Sequence, residues 1–243
     1  MARTRLKIPE MASSAPASPA ARAGGRGHVG QGAYDSIRTA ILNCSFVPGM
    51  ALSELAVSQE LGVSRAPVRD AFGRLVSEGL LEVLAQRGTF VTRLSRARIE
   101  DAIFVREMIE CRAAELAVQA PLAGRQKLAQ SLQRQVEASE HKDFSGHLLA
   151  DEDMHYQILV LAGHRHAWGP LLLARSGMNR IRHIAIPQLG GNLIAIEQHR
   201  ALLQAIVDGD GARAREEMRL HIRSPLRFVD AIAARHPAYF TDD

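Results

Sequence analysis

One stretch constrains the fold more than any other: Ser64-Arg65-Ala66-Pro67-Val68-Arg69, set between Gly62 and Gly79. A serine just ahead of a helical pattern is a capping residue, a proline in the first turn costs little because that N–H is unpaired anyway, and a glycine is a stop. The spacing predicts a short helix over Arg65–Glu78, with Val68, Phe72, Leu75 and Val76 as its apolar stripe. Upstream, Gln31–Asn43 carries Ala33, Ile37, Ala40 and Ile41 at helical spacing, and Pro48-Gly49 forces a turn. Ser53 then caps a second short helix, Glu54–Leu61, ended by Gly62. Downstream, the β-prone runs Leu80–Leu84 and Thr89–Val91 flank Gln86-Arg87-Gly88, a hairpin with glycine at its tip. Three short helices followed by a hairpin make a winged helix-turn-helix.

From Ser95 onward the pattern is helical throughout, with helices near 97–119, 124–140, 144–163, 165–185, 192–208 and 211–236. Gly190-Gly191 and Asp208-Gly209-Asp210-Gly211 break it, and Pro225 restarts or kinks the last helix. The chain of 243 residues is 47% apolar but only 5% aromatic, which favours helix packing over an aromatic-rich β core. The fold expected is mainly α: a flexible tail over 1–29, a winged helix-turn-helix domain over 30–95, and an all-α antiparallel bundle over 96–238. The tail reading rests on the Ala, Ser, Pro, Gly and Arg content of the first residues, which also lack the apolar core of a signal peptide. With no bilayer-length apolar run and only Cys44 and Cys111, the expected setting is a reducing cytoplasm with no membrane partner.

Arg65 and Arg69 lie one turn apart near a helix N-terminus, on a face beside the apolar stripe. That is the end a helix-turn-helix points at base edges, and arginine is the side chain best shaped for a bidentate contact with guanine. Arg38 on the first helix and Arg87 at the hairpin tip could flank these contacts, while Gly88 would let the wing backbone approach a duplex. Each arginine taken alone is equally an ordinary solvated side chain. The net charge of +4 is compatible with a polyanion but does not establish one. The segment from Ile37-Arg38 through Pro48-Gly49, Leu52-Ser53-Glu54, Gly62-Val63-Ser64-Arg65, Pro67-Val68-Arg69, Glu78-Gly79-Leu80 and Arg87-Gly88-Thr89-Phe90-Val91 resembles the winged helix domain of the GntR family. The resemblance implies double-stranded operator DNA as partner, contacted by Ser64, Arg65, Pro67 and Arg69 with Arg38, Arg87 and Gly88 flanking, and a homodimer as the working form.

In the helical half, Asp151 and His155 share a helix face with Leu148, Leu159 and Ala162, His199 lies among Ile196, Leu202 and Ile206, and His221 lies near Met218 and Ile222. Three helices thus each send a metal-ligand type into an apolar interior, a donor set suited to zinc, nickel, iron or manganese. Left unpaired, such groups cost about 1–3 kcal/mol each. A buried histidine is, however, more often a hydrogen-bonded core residue than a ligand, and Asp143 and His147 repeat the Asp-x-x-x-His spacing. Spacing alone does not choose between the two pairs. "DEDMHYQILVLAG" and "EQHRALLQAIVDGDGARAREEMRLHI" look like the FCD effector domain of FadR-type GntR regulators. That resemblance implies Asp151, His155, His199 and His221 as ligands of a divalent metal, zinc first among them, and passes over Asp143 and His147. It departs at His164, where the family commonly has asparagine, and it weakens between about 165 and 190.

A divalent ion with an open position would attract a carboxylate, so a small organic acid is the effector expected. Arg106 lies in line with Ala102, Ile109, Ala113 and Leu116, where a charge needs a partner. Glu110, one turn on, is the plain answer, and the resemblance offers an effector carboxylate instead. Arg180 and Arg182 are weaker candidates, equally explained by a solvated face. The function expected is a ligand-responsive, sequence-specific transcriptional regulator, a repressor rather than an enzyme. Two alternatives stand beside it: a metal-dependent enzyme acting on a small organic acid, with Glu152 or Glu197 as the nearest bases in sequence, and an architectural DNA-binding protein with no ligand.

Overall fold

The computed structural model describes residues 26–241, with side chains from Gly30 onward. The tail expected over 1–29 lies outside the described residues as far as residue 25, and helix α1 (Arg26–Leu42) begins at its end. The chain divides into two compact units, one reaching to Leu94 and taking in Ala238–Thr241, the other Ser95–Pro237.

The first unit holds α1, β1 (Ala51–Leu52), α2 (Glu54–Leu61), α3 (Arg65–Ser77), β2 (Leu81–Leu84) and β3 (Gly88–Val91). Ser53 caps α2 by accepting from the Ala56 N–H, and Gly62 ends it with a left-handed φ of 65°. Ser64 stands at the N-cap of α3, but its side chain makes no capping bond; its extended φ and ψ alone start the helix. Gly79 (φ 70°) turns the chain out of α3, with Leu80 N–H reaching back to the Leu75 carbonyl. Tyr34, Ile37, Ile41, Val57, Val68, Phe72, Leu75 and Leu81 close one core between the helices and the sheet.

The sheet has three antiparallel strands, ordered β1-β3-β2, with Leu84 facing Gly88 and Leu52 facing Thr89. Sequence reading finds the β2–β3 hairpin but not β1, which is only two residues long. Nor is Gly88 the tip: it opens β3 at φ 108°, and Gln86 carries the tip's positive φ of 61°.

The C-terminal residues add a fourth segment to this unit. Leu94 N–H donates to the Tyr239 carbonyl at 2.8 Å, Thr241 N–H donates back to the Leu94 carbonyl at 2.9 Å, and Phe240 is buried. Truncation after Pro237 is expected to destabilise the winged unit by about 1.5–3 kcal/mol through loss of the buried phenyl ring. Native-state hydrogen exchange of the α1 and α3 amides checks this, and unchanged protection would contradict it.

The second unit contains α4 (Arg96–Arg106), α5 (Arg112–Ala117), α6 (Leu122–Gln126), α7 (Leu128–Glu140), α8 (Phe144–Leu161), α9 (Trp168–Leu189), α10 (Asn192–Asp208), α11 (Gly211–Arg223) and α12 (Val229–Arg235). Helix α7 packs on α8, α10 on α11, α11 on α5 and α4 on α9. The single helix expected over 97–119 is interrupted: Glu107–Cys111 winds as a π-helical turn. The helix expected over 211–236 is also divided, by the 3₁₀ turn Ser224–Phe228 at Pro225, whose ring cannot continue the hydrogen-bond ladder. Among the described residues no helix is long and apolar enough to cross a membrane.

Candidate nucleic-acid interface and metal centre

Helix α3 buries Val68, Ala71, Phe72 and Leu75 against the winged unit's core, which turns Arg65 and Arg69 outward. Their side chains are 57% and 65% exposed. Ser64, Arg87 and Gly88 are also exposed, and Pro67 is half-buried. Arg87 stacks over the Phe90 ring at 5.8 Å, so the wing carries its cation on an aromatic support. Arg38 differs from the rest. It is half-buried against Glu78 at 3.5 Å, and the same carboxylate accepts from the Tyr34 hydroxyl.

In the second unit, α8 turns His147, Leu148, Asp151, Met154, His155 and Ile158 inward, at intervals of three and four residues. Helix α10 buries His199 with Ile196, Leu202 and Ile206, and α11 buries His221 with Ala214, Met218 and Ile222. One ligand atom from each of Asp151, His155, His199 and His221 lies within 4.8 Å of all the others, and all four residues are buried. His155 Nε2 and His221 Nε2 are 3.1 Å apart. Asp151 Oδ1 lies 3.6 Å from His199 Nε2 and 3.7 Å from His221 Nε2.

These distances come close to what one ion requires. Two ligands bound at about 2.0–2.1 Å, at angles between 90° and 110°, stand about 2.8–3.4 Å apart; the His155–His221 separation lies in that range, and the two from Asp151 to His199 and His221 are a few tenths of an ångström wider. The tautomers fit as well. His199 Nδ1–H donates to Gln135 Oε1 at 2.7 Å, which leaves a lone pair on Nε2, and that buried atom has no protein partner. His155 presents Nδ1 to the Glu110 carboxylate, so its Nε2 also carries a lone pair toward the cluster. A histidine oriented by a carboxylate or carbonyl on one nitrogen and open on the other is the usual arrangement around a metal. Burial holds the imidazoles neutral, the form a metal requires: His155 and His221 titrate below their ordinary range, and His199 is pushed down to about 3.

Burial by itself would raise the Asp151 carboxyl, but Arg182 beside it, with His155 and His199, holds it well below the usual range. Arg182 forks onto both Asp151 oxygens at 2.6 and 2.7 Å, and Arg175 adds a third contact at 2.9 Å. Arg175 also donates to Glu110 at 3.1 Å. Arg106 is buried and pairs with Glu110 through its Nε at 2.5 Å, the partner that sequence spacing offers.

Two expectations change here. Arg180 and Arg182 do not lie on a solvated face, since both are buried, and Arg182 is committed to Asp151. Arg175, which sequence reasoning passed over, sits at the centre of the network. Its signal was present: Leu171, Arg175, Met178, Arg182 and Ala185 recur at helical spacing and are all buried. The pair Asp143 and His147 splits up. Asp143 caps α8 by accepting from the Gly146 N–H, and His147 stands behind Gln135 at 3.4 Å. His164 is exposed. Glu152 accepts from Asn179 at 2.6 Å and Glu197 pairs with Arg200 on the surface, so neither carboxylate stands among the four clustered donors.

The neutral histidines carry a pH signature. His183 is pushed down to about 4 by burial and then by Arg182, and His199 to about 3, against an ordinary 6.5. Between pH 6.5 and those values the unfolded chain binds protons that the folded chain refuses, so stability present above 6.5 is lost as the pH falls. Metal-stripped protein should therefore show a lower denaturant midpoint at pH 5 than at pH 7.5. A midpoint that stays flat across that window would contradict the assignment.

Comparison with known proteins places these features. Residues 30–91 match the family described as bacterial regulatory proteins, gntR family, and residues 101–224 match the FCD domain. An uncharacterized HTH-type transcriptional regulator from an unstable DNA locus of Streptomyces ambofaciens is 32% identical over 86% of this chain and 89% of its own length. The HTH-type transcriptional repressor RspR of Escherichia coli is 28% identical, over 88% of this chain and 95% of its own. Among solved structures, E. coli McbR/YncC superposes with a TM-score of 0.73 at 19% identity, covering 84% of this chain and 97% of that one. A putative GntR regulator from Rhodococcus sp. RHA1 superposes with a TM-score of 0.69 at 22% identity, covering 83% and 98%. At such identities the structural likeness establishes the fold.

Proposed function

The chain belongs to the GntR family of DNA-binding transcriptional regulators and carries an FCD domain, and from that premise we propose that it is a cytoplasmic, homodimeric repressor released or engaged by a small carboxylate. The observation that carries the ligand-responsive part is the convergence of four buried donors with His199 Nε2 left unpartnered. The repressor part leans on the E. coli relative named a transcriptional repressor.

Asp151, His155, His199 and His221 would hold a divalent ion, zinc being the first choice for three imidazoles and one carboxylate. Such an ion supplies a Lewis-acidic point to which a carboxylate oxygen binds. The surrounding side chains favour the same ligand. Arg106, Arg175 and Arg182 pair with Glu110 and Asp151, and the Glu152 carboxylate adds its charge near Arg175 and Arg182, so this network is close to neutral before any cation is added. A divalent ion added to it would leave a buried positive excess, which calls for an anion. Arg106 would reach the effector by trading part of its Glu110 pairing for a second carboxylate, and Arg175 would do the same from α9.

On the DNA side, Arg65 and Arg69 would read base edges in the major groove. Ser64, Pro67 and Arg38 would set the helix against the backbone, and Arg87 and Gly88 would carry the wing along the neighbouring groove. Two half-sites must be met at a fixed separation, so an effector that shifts the dimer's geometry changes specific affinity. The test is binding to the DNA upstream of the protein's own gene. A specific, salt-sensitive complex whose affinity changes when di- and tricarboxylic acids are added to metal-loaded protein supports the reading. Binding that none of these acids alters would overturn the effector part, and a complex no tighter than that with unrelated DNA would overturn operator recognition there.

A further inference from the structure

Between the two arginines that face outward from α3 stands one carboxylate, and it comes from a different helix. Glu54 is the first residue of α2, directly after the Ser53 cap. It accepts from Arg65 Nη2 at 3.3 Å, and from Arg69 Nε and Nη2 at 3.3 Å each. Its side chain is 27% exposed while those of the arginines are 57% and 65% exposed, so the carboxylate sits beneath two more exposed cations. Ion pairs this exposed add little to stability, which leaves their geometry to be accounted for.

Arginine has five N–H donors in a rigid fork. Arg69 spends its Nε–Nη2 edge on Glu54. The end-on edge, one N–H from each Nη, stays free and is the edge that can grip guanine O6 and N7. Arg65 gives Glu54 only Nη2, so it keeps Nε and Nη1. Together the two guanidiniums hold the Glu54 carboxyl below its usual range, chiefly through the Arg69 hydrogen bond.

We infer that Glu54 is a positioning residue for base readout: it fixes the planes of Arg65 and Arg69 before DNA arrives and cancels one of their two charges. Fixing the planes spares the rotamer entropy otherwise lost on binding. Cancelling a charge weakens the phosphate attraction that every duplex offers equally. Both effects widen the gap between a cognate site and other DNA. The inference rests on the reading that Arg65 and Arg69 contact bases.

The test uses the full-length protein and a duplex selected by the wild type from a random pool, with a scrambled duplex as comparison, each titrated at several salt concentrations. Glu54→Gln should bind the scrambled duplex more tightly and with a steeper salt dependence, while the cognate-to-scrambled affinity ratio falls at least tenfold. Glu54→Asp keeps the charge but is one methylene too short to span both arginines. It should leave scrambled binding at the wild-type level and still lower the ratio. Thermal midpoints within a few degrees of wild type separate these effects from misfolding. An unchanged ratio in both variants, or equal losses on both duplexes, would overturn the role of Glu54 alone, provided Arg69→Ala still lowers cognate affinity. Cognate affinity unchanged by Arg69→Ala would overturn the base-contact reading and the proposal with it.

Discussion

An Asp151→Ala protein is expected to lose both its metal and much of its stability, whereas His199→Ala is expected to lose the metal alone. The difference follows from what each side chain holds. Asp151 is the acceptor for both nitrogens of the Arg182 fork and for one of Arg175, all buried. Removing it strands a guanidinium in the interior, a change that typically costs about 3–5 kcal/mol. His199 bonds only to Gln135 outside the cluster, and its loss leaves every ion pair intact. Elemental analysis of untagged protein should give about one ion per chain for the wild type and far less for either variant, as expected when one of four ligands is removed. Gln135→Leu, which frees the His199 ring without touching a ligand, should weaken metal affinity roughly 10–100-fold. Urea denaturation completes the comparison. His199→Ala should resemble chelator-treated wild type, while Asp151→Ala should unfold well before either. Equal destabilisation by the two substitutions, with unchanged metal content, would mean that the cluster is a structural ion-pair network only.

The second large effect concerns α3. A bidentate arginine–guanine contact contributes about 1–3 kcal/mol of discrimination, and the proposed symmetric dimer would make it twice, so Arg69→Ala should cost about 2–6 kcal/mol of specific binding, roughly 30-fold to more than 10⁴-fold. Binding to scrambled DNA should fall far less. Arg38→Ala should behave differently, because its guanidinium is already pinned to Glu78 away from the exposed face of α3. It is expected to weaken both duplexes alike and to lower the salt slope by about one unit per lost phosphate contact. Fluorescence anisotropy on cognate and scrambled duplexes separates the two patterns. Equal losses on both duplexes for Arg69→Ala would place that side chain on the phosphate backbone.

The winged unit was legible in the sequence because its signals are local. Ser53, Gly62 and Gly79 mark helix ends within a few residues of where they act, and of the expected α3 stripe Val68, Phe72 and Leu75 are buried, with Ala71 in place of the exposed Val76. What escaped was either very short or long-range. Strand β1 has two residues, too few for any alternation to register. The π turn at Glu107–Cys111 leaves the apolar pattern almost unchanged while turning Glu110 and Cys111 inward. The return of Ala238–Thr241 to Leu94 rests on long-range backbone hydrogen bonds and on a single buried ring, Phe240, too little for a sequence pattern to register.

The helical half divides in the same way. Its four metal-ligand candidates could be named, because acid and imidazole groups on apolar stripes are conspicuous and a family pattern ranked them above Asp143 and His147. The groups that orient them could not. Glu110 and Gln135 belong to other helices and meet His155 and His199 only in three dimensions. Arg182 reads as a surface residue until its acceptor, 31 positions earlier in the chain, is known. Pairing across such separations is decided by packing, which a pattern of charged and apolar letters does not encode.

The central claim is that the Asp151, His155, His199 and His221 cluster controls a DNA reader. The most direct measurement is operator affinity of zinc-loaded wild type and of His199→Ala, each titrated with a series of di- and tricarboxylic acids. The account predicts that at least one acid shifts wild-type operator affinity about tenfold or more, within the usual range of allosteric coupling, and that His199→Ala binds the operator but no longer responds to that acid. An equal response in both proteins, or no response in the wild type to any acid, would contradict it.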